Sequence, residues 1–326
     1  MTKLIMRPMQ IEPAGADAKL WEKLEPLLTD DDWYGEPKLD GWRFLLHFGG
    51  GLDRMYLTGR RKSSKTGQLS EKGLCAPYLT PPPKWMRKMA YTVLDGEIMP
   101  PDGATFGDLA GVMNVEPAKA AARILEIGQP EYHVFDCLFC DGDDVRSSEQ
   151  EDRKRTGEDL VTRLWPESTP IYSLGASMEK LRLYDEEVAR GGEGIILKKK
   201  SAPYGKDWIK VKRYHTLDAI VTVFTEANEG KTGKFKGLIG AIVVSVYKAG
   251  KLVEIGQISG MSDLDHKTIT AHRKAYLGRV VEIKAQELAK DRLRHPRFGR
   301  MRPDALLKTC TWEKMQRDLT ANKNTK

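Results

Sequence analysis

Between Ala18 and Leu28 the apolar residues fall at helical spacing, with Leu20, Trp21, Leu24 and Leu27 on one side. The acidic run Asp30-Asp31-Asp32 ends that period. Trp33–Phe48 then reads as strands, Gly49-Gly50-Gly51 as a tight connection and Arg54–Thr58 as a returning strand. Arg60–Gln68 is polar and reads as a loop, and Pro81-Pro82-Pro83 as a rigid spacer. Tyr91–Met99 and Tyr132–Phe139 read as strands, the second apolar enough to be buried. Pro117–Ile127 between them is a helix, with proline at its start and Gly128 past its end. Ser147–Leu164 reads as a charged helix with Ser148 and Glu151 at capping-box spacing. Ser177–Arg190 is another helix, closed by Gly191-Gly192. The strands Glu193–Leu197 and Asp207–Lys212 follow, on either side of Pro203-Tyr204-Gly205.

From about residue 214 the pattern changes. Leu217–Thr225, Leu238–Tyr247, Lys251–Ile258 and Val280–Glu287 read as strands, with Ala249-Gly250 as a two-residue hairpin turn. Short strands broken by glycine fit a small barrel such as an OB-fold. The pattern predicts an α+β chain of two domains, 1–213 and 214–319, with a disordered tail over 320–326.

Charge sharpens that division. The net charge is +7, yet residues 1–213 carry 32 basic and 34 acidic side chains, while 214–326 carry 21 and 12. The whole basic excess lies in the C-terminal third, which suits a module facing a polyanion. A basic, solvated surface without a partner is the plain alternative. The four cysteines are too few for a secreted disulfide scaffold of this length. Cys137 and Cys140 have C-x-x-C spacing, but no second such pair completes a metal site, so a structural role is expected for them. With no leader-like apolar core and no apolar run of membrane-spanning length, a reducing cytoplasm is expected.

Several short stretches carry chemistry. Lys38 sits in Glu36-Pro37-Lys38-Leu39-Asp40-Gly41-Trp42-Arg43. A lysine amine attacks phosphorus only in its neutral form, and phosphoryl chemistry further needs positioning and charge neutralisation. Leu39 and Trp42 can wall such a site, and Arg43 can hold phosphate or ribose. Glu97, in Leu94–Ile98, and Glu193, before a strand, are carboxylates at strand ends that can hold Mg²⁺ or a ribose hydroxyl. In Trp208–Lys212 the alternation puts Lys210 and Lys212 on one face and Ile209 and Val211 on the other.

Taken in order, these stretches resemble the motifs of the covalent nucleotidyltransferase superfamily, and in particular of the ATP-dependent DNA ligases. Lys38-Leu39-Asp40-Gly41 is similar to their nucleophile motif and Thr58-Gly59-Arg60 to the S-R motif that follows. Asp95-Gly96-Glu97, Tyr132–Phe139 with Phe135-Asp136, Glu193-Gly194, and Trp208–Lys212 are similar to the next four. Arg294, Arg297, Arg300, Arg302 and Asp304 form a run that resembles the last ligase motif, and Gly256–Asp263 resembles a glycine-rich stretch of ligase OB domains. The resemblance covers roughly residues 36–304.

The resemblance implies an adenylation domain of antiparallel sheets and helices, followed by an OB-fold DNA-binding barrel. It implies that Lys38 takes AMP from ATP as a phosphoramidate and passes it to a 5′-phosphate at a nick in duplex DNA. Glu36, Pro37, Leu39, Arg43, Arg60, Glu97, Phe135, Glu193, Lys210 and Lys212 are then expected at the nucleotide. Within that set Phe135 stacks on adenine, Lys210 and Lys212 hold the α-phosphate, and Glu97 and Glu193 support Mg²⁺ or Mn²⁺. The five residues of the last motif serve DNA or phosphate. A minimal, monomeric enzyme of the phage or viral type is expected, in a bacterial or phage-infected cytoplasm. Three departures bear on details. Ala305 stands where the last motif has lysine, Met261 where the family often has phenylalanine, and Gly59 where it has serine, with Arg61 competing with Arg60. An RNA ligase or an mRNA-capping guanylyltransferase shares the lysine motif. A non-catalytic OB-fold binder stacking bases on Phe224, Phe235 and Tyr247 is the reading from another class.

Overall fold

Trp33–Pro37 pairs antiparallel with Gly194–Lys199, which lies beside Trp208–Lys212 and then Met9–Ile11 in a four-stranded sheet. This computed structural model describes residues 9–11, 18–52, 55–62, 69–71, 88–165, 170–212, 214–227, 235–289 and 291–320. Strand alternation gives that sheet two unlike faces. Trp33, Ile195, Leu197, Ile209 and Val211 pack with Leu24 of the helix Ala18–Thr29 in an apolar layer. The opposite face presents Glu36, Lys198 and Trp208.

A second, seven-stranded sheet runs Leu69–Glu71, Tyr56–Lys62, Trp42–Phe48, Thr92–Met99, Glu131–Cys140 and Asp143–Asp144, with Ile171–Ser173 parallel to Glu131–Cys140. One face holds the larger core, where Leu46, Leu94, Ile98 and Tyr132 meet Leu109, Val112, Leu160 and Val161 of the covering helices Phe106–Met113 and Gln150–Leu164. Each such fully buried apolar side chain contributes about 1.5–3 kcal/mol. The other face joins the four-stranded sheet, since Leu45, Val93, Phe135 and Leu138 cluster with Tyr204 and Trp208. Thus both sheets face one interlayer, where Phe135 and Trp208, from two of the sequence motifs, meet edge-on.

The chain divides into two compact units, the first taking most of residues 22–211 and the second most of 212–320. In the second, five antiparallel strands run Lys251–Ile258, Ile239–Lys248, His215–Glu226, Val280–Ala285 and Arg297–Met301. The outer strands meet where Ser259 bridges Arg297, and the Phe298 N–H donates to the Ser259 carbonyl at 2.9 Å. That contact bends the sheet into a small barrel around Leu217, Ile242, Val244, Ile255 and Ile283. Ala249 and Gly250 both take positive φ, 49° and 78°, as a two-residue hairpin turn requires.

Several element readings change. Arg60 and Arg61 belong to the strand Tyr56–Lys62 despite their polarity, inside a strand whose pairing with Leu69–Glu71 shifts register between Thr58 and Lys62. Residues 63–68, Pro81–Pro83 and 321–326 lie outside the described residues, while Thr320 ends the helix Trp312–Thr320. The charged helix begins at Gln150, and the Ser148–Glu151 capping box does not form. Instead the Ser148 carbonyl accepts a hydrogen bond from Arg153 at 2.5 Å, and Gln150 is drawn inward. The next helix starts at Lys180, because the Ser177 backbone pairs with Gly35. The strand expected over Val280–Glu287 stops at Ala285, and Glu287 opens a separate hairpin with Arg292–Arg294.

Candidate active site

Register brings the nucleophile candidate to its neighbours. Ile195 lies opposite Pro37, so Lys38, one residue beyond its strand, falls beside Gly194, and its N–H donates to the Gly194 carbonyl at 2.8 Å. The Lys38 ammonium and the Glu193 carboxylate, both half-buried, form an ion pair. Gly41 then passes so close to Thr92–Met99 that a Cβ there would sit 2.2 Å from the Ile98 carbonyl oxygen. The absence of a side chain is what lets the loop carrying Lys38 lie against the strand carrying Glu97. Gly96 has the same constraint, with a Cβ 2.6 Å from the His133 carbonyl oxygen.

Arg43 stands opposite Glu97 in the Trp42–Phe48 and Thr92–Met99 pairing. Its guanidinium donates to buried Asp95 through Nε at 3.0 Å and Nη2 at 2.5 Å, and through Nη2 to the Tyr204 hydroxyl at 3.0 Å. It lies 5.1 Å from the Phe135 ring centroid and 5.2 Å from that of Trp208. Burial works against the Arg43 charge, but Asp95 and Tyr204 more than compensate and raise its pKa. For Glu97 burial wins, pushing its pKa up to about 7 with help from Asp95, while Arg43 and Lys38 pull the other way. Both Lys38 and Arg43 therefore act electrostatically on Glu97.

Behind these groups lies an ionic layer. Glu36 is buried and pairs with Lys154 at 2.7 Å and Lys198 at 2.6 Å. The Lys198 ammonium donates to the Phe135 carbonyl at 3.1 Å and lies 4.1 Å from the Trp208 ring centroid. Burial lowers the Lys198 pKa, with Glu36 and Asp136 opposing. Asp136 pairs with Arg153 at 2.9 Å, and Gln150 accepts from both Arg153 and the Trp208 indole, at 2.6 and 2.7 Å. Buried charges persist only when partnered in this way.

The structure thus gathers Lys38, Glu193, Arg43, Glu97 and Phe135, with Leu39 packed against the cluster containing Phe135. Pro37 ends its strand, and Glu36 sits inside the ionic layer. Lys210 and Lys212 are half-buried, alternating with buried Ile209 and Val211. Arg60 lies in a strand, and its side chain is outside the described residues. Sequence reasoning assigns no role to Asp95, Lys154, Lys198 or Tyr204. Lys198 gives one signal, a charge closing the apolar run Ile195-Ile196-Leu197. Tyr204, between proline and glycine, has the pattern of an ordinary turn residue. Cys137 is buried in the large core, its S–H donating to the Phe139 carbonyl.

A pair of carboxylates suits Mg²⁺, which uses one or two carboxylates plus substrate phosphates rather than an all-protein cage. Glu97 and Glu193, both acting on the Lys38 ammonium, meet that description. Among the described residues no group of three or more His, Cys, Asp or Glu forms a cage.

Residues 17–212, more than half of the chain, match the family model for the ATP dependent DNA ligase domain. The chain belongs to the ATP-dependent DNA ligase family. Residues 229–302 match the DNA ligase OB-like domain. A probable DNA ligase of Streptomyces avermitilis is 30% identical over 274 residues, covering 78% of this chain and 48% of that protein. A DNA ligase of Archaeoglobus fulgidus is 28% identical over 297 residues, covering 82% and 51%. The chain spans about half the length of these curated relatives. A solved structure from a study of Lig E DNA ligases has the same fold, with a TM-score of 0.59 at 19% identity over 91% of this chain and 100% of that one. The fold is accordingly the α+β nucleotidyltransferase arrangement with an OB barrel.

The run that resembles the last ligase motif lies in the second unit. Arg294 pairs with Glu287 at 2.7 Å, and Arg300 with Glu282 at 3.3 Å. Arg302 meets Asp304 at 2.9 Å, Asp218 at 3.3 Å and Glu282 at 3.5 Å, while Arg297 is exposed. The rings offered for base stacking in the non-catalytic reading are engaged otherwise: Phe224 and Tyr247 pack on the barrel core, and Phe235 lies 4.4 Å from the His266 ring.

Proposed function

We propose that the chain is an ATP-dependent DNA ligase that seals nicks in duplex DNA. The observation carrying this reading is Lys38 at a strand end, ion-paired with Glu193 beside Arg43 and Glu97. In the first step the Lys38 Nζ attacks the α-phosphorus of ATP. An N–P bond forms, the P–O bond to pyrophosphate breaks, and the amine proton leaves. The amine must be neutral to attack, so its ion pair with Glu193 opens as nucleotide enters. The AMP then passes to a 5′-phosphate at the nick, and the adjacent 3′-hydroxyl displaces it to form the phosphodiester. Mg²⁺, or Mn²⁺, supplies charge neutralisation at the phosphates, with Glu97 and Glu193 as its holders.

In this reading Arg43 contacts ribose or phosphate, Phe135 and Leu39 face the base, and Lys210 and Lys212 neutralise the α-phosphate. Glu36 and Pro37 shape the strand that delivers Lys38, and Arg60 serves the ribose or the 5′-phosphate. Arg294, Arg297, Arg300, Arg302 and Asp304 serve the DNA and the leaving pyrophosphate. Residues 1–213 form the adenylation domain and 214–319 the DNA-binding domain. The enzyme works as a monomer, in a cytoplasm where ATP, Mg²⁺ and DNA meet.

Intact-protein mass spectrometry tests this. Incubation with ATP and Mg²⁺ adds the mass of one AMP, nicked duplex DNA removes it, and Lys38→Ala never acquires it. Label from GTP instead would favour the guanylyltransferase, and discharge only on nicked RNA the RNA ligase. AMP bound covalently to Lys38→Ala would sink the assignment.

A further inference from the structure

We propose that Tyr204 is a positioning residue for nucleotide binding: its hydroxyl, together with Asp95, fixes the orientation of the Arg43 guanidinium beside the Phe135 ring. The proposal rests on the reading of Lys38 and Arg43 given above. Tyr204 lies in the turn between the strands Gly194–Lys199 and Trp208–Lys212 of the four-stranded sheet, whereas Arg43 and Asp95 belong to the seven-stranded sheet. Its hydroxyl donates to Asp95 Oδ2 at 2.5 Å and accepts from Arg43 Nη2 at 3.0 Å. Arg43 reaches the same carboxylate through Nε and Nη2, which closes a triangle of half-buried Arg43 with buried Asp95 and Tyr204. Burial and the neighbouring Asp95 push the phenol pKa well above its ordinary value, so the hydroxyl stays a donor.

Asp95 grips one edge of the guanidinium through Nε and Nη2, with both of its oxygens engaged. The contact from Tyr204 comes from a different sheet and ties Nη2 to that sheet as well. Arg43 is opposite Glu97 in register, so a guanidinium released from Tyr204 has a second carboxylate to turn toward. An arginine held ready for ribose or phosphate gains from this fixity, because its orientation need not be found anew at each binding event.

The tyrosine ring is placed independently of its hydroxyl. It meets Trp208 edge-on at 5.5 Å, and the Arg153 guanidinium lies 5.7 Å from its centroid. The Tyr204 N–H donates to the Arg146 carbonyl at 2.9 Å, and Arg153 donates to the Ala202 carbonyl at 3.2 Å. Tyr204→Phe therefore removes one oxygen and leaves the turn in place.

The experiment measures Lys38 adenylation against ATP concentration in the full chain, for wild type, Tyr204→Phe, Arg43→Lys and the double variant, with melting curves beside them. Tyr204→Phe is expected to raise the KM for ATP about tenfold, the scale of a hydrogen bond to a charged group, with kcat within about threefold. Adding Tyr204→Phe to Arg43→Lys is expected to cost nothing further, since the group it positions is already altered. An unchanged KM in Tyr204→Phe overturns the proposal. So does a double variant whose losses multiply, the behaviour of a side chain that only supports the fold. A wild-type protein that takes up no AMP overturns the ligase reading itself, a result separate from either of these.

Discussion

Gly41 has no room for a methyl group, with the Ile98 carbonyl oxygen 2.2 Å and Met99 Sδ 2.7 Å from the place a Cβ would take. Gly41→Ala must push the loop carrying Lys38 away from the strand carrying Glu97. We expect a loss of about 1–3 kcal/mol in stability, as for overpacking elsewhere, and at least a tenfold slower adenylation. Denaturant titration and AMP uptake read the two effects, and a variant as fast as wild type would show that this close approach does not place Lys38. His47 makes a second prediction. It is buried between Tyr91 and Thr58, bonded at 2.7 and 2.8 Å, and burial lowers its pKa from 6.5 to about 4. A histidine held neutral contributes stability that is complete above pH 6.5 and is lost as pH falls through about 4, because the unfolded chain binds the proton first. His47→Phe keeps a ring over Tyr56 but cannot titrate. Its deficit against wild type should be largest at pH 7 and shrink by pH 4 in melting curves, and a constant deficit would refute the neutral histidine. The motif residues are readable singly because each pairs an uncommon residue with a fixed neighbour. Asp95, Lys198 and Tyr204 are not, because their partners lie 52, 162 and 109 positions away in sequence, with Arg43, Glu36 and Asp95 respectively.

At the scale of elements, the strand Gly194–Lys199 ties the site together. Its first residue receives the Lys38 N–H, and Lys198 near its other end binds Glu36 and the Phe135 carbonyl. Lys198→Met removes one of the two cations paired with Glu36. We expect a cost of about 3–5 kcal/mol, because a buried carboxylate is left under-compensated, and a variant within about 1 kcal/mol of wild type would show that Lys154 alone suffices. Strand and helix periods reveal most of these elements, since one face of each is apolar. The failures have local causes. The helix Phe106–Met113 follows a capping box formed by Thr105 and Asp108, but glycines at 107 and 111 weaken its signal. Among its described side chains the helix Trp312–Thr320 buries Trp312, Met315 and Leu319, in an otherwise polar sequence. Ser148 and Glu151 have the spacing of a cap, yet the need to satisfy Arg153 and Trp208 recruits Ser148 and Gln150 for the interior.

For the whole molecule the charge asymmetry has a measurable consequence. Residues 214–326 hold 21 basic and 12 acidic side chains. Many of the arginines in the last motif are already matched with carboxylates, Arg302 with three of them. Lys267, Arg273, Lys274 and Arg279, by contrast, are exposed and form no ion pair among the described residues. Unmatched, exposed cations are the ones whose counterions a DNA backbone can replace, and each neutralised phosphate adds about 0.9 to the slope of log affinity against log salt. Replacing these four residues with glutamine should weaken duplex binding and lower that slope in proportion to the number of phosphates they neutralise. Adenylation of Lys38 by ATP alone should be unchanged, since none of these four is among the residues proposed to meet the nucleotide or its leaving pyrophosphate. Equal slopes in variant and wild type would mean that this part of the basic excess is solvated surface, and that the matched arginines must exchange their carboxylates for phosphates when DNA binds.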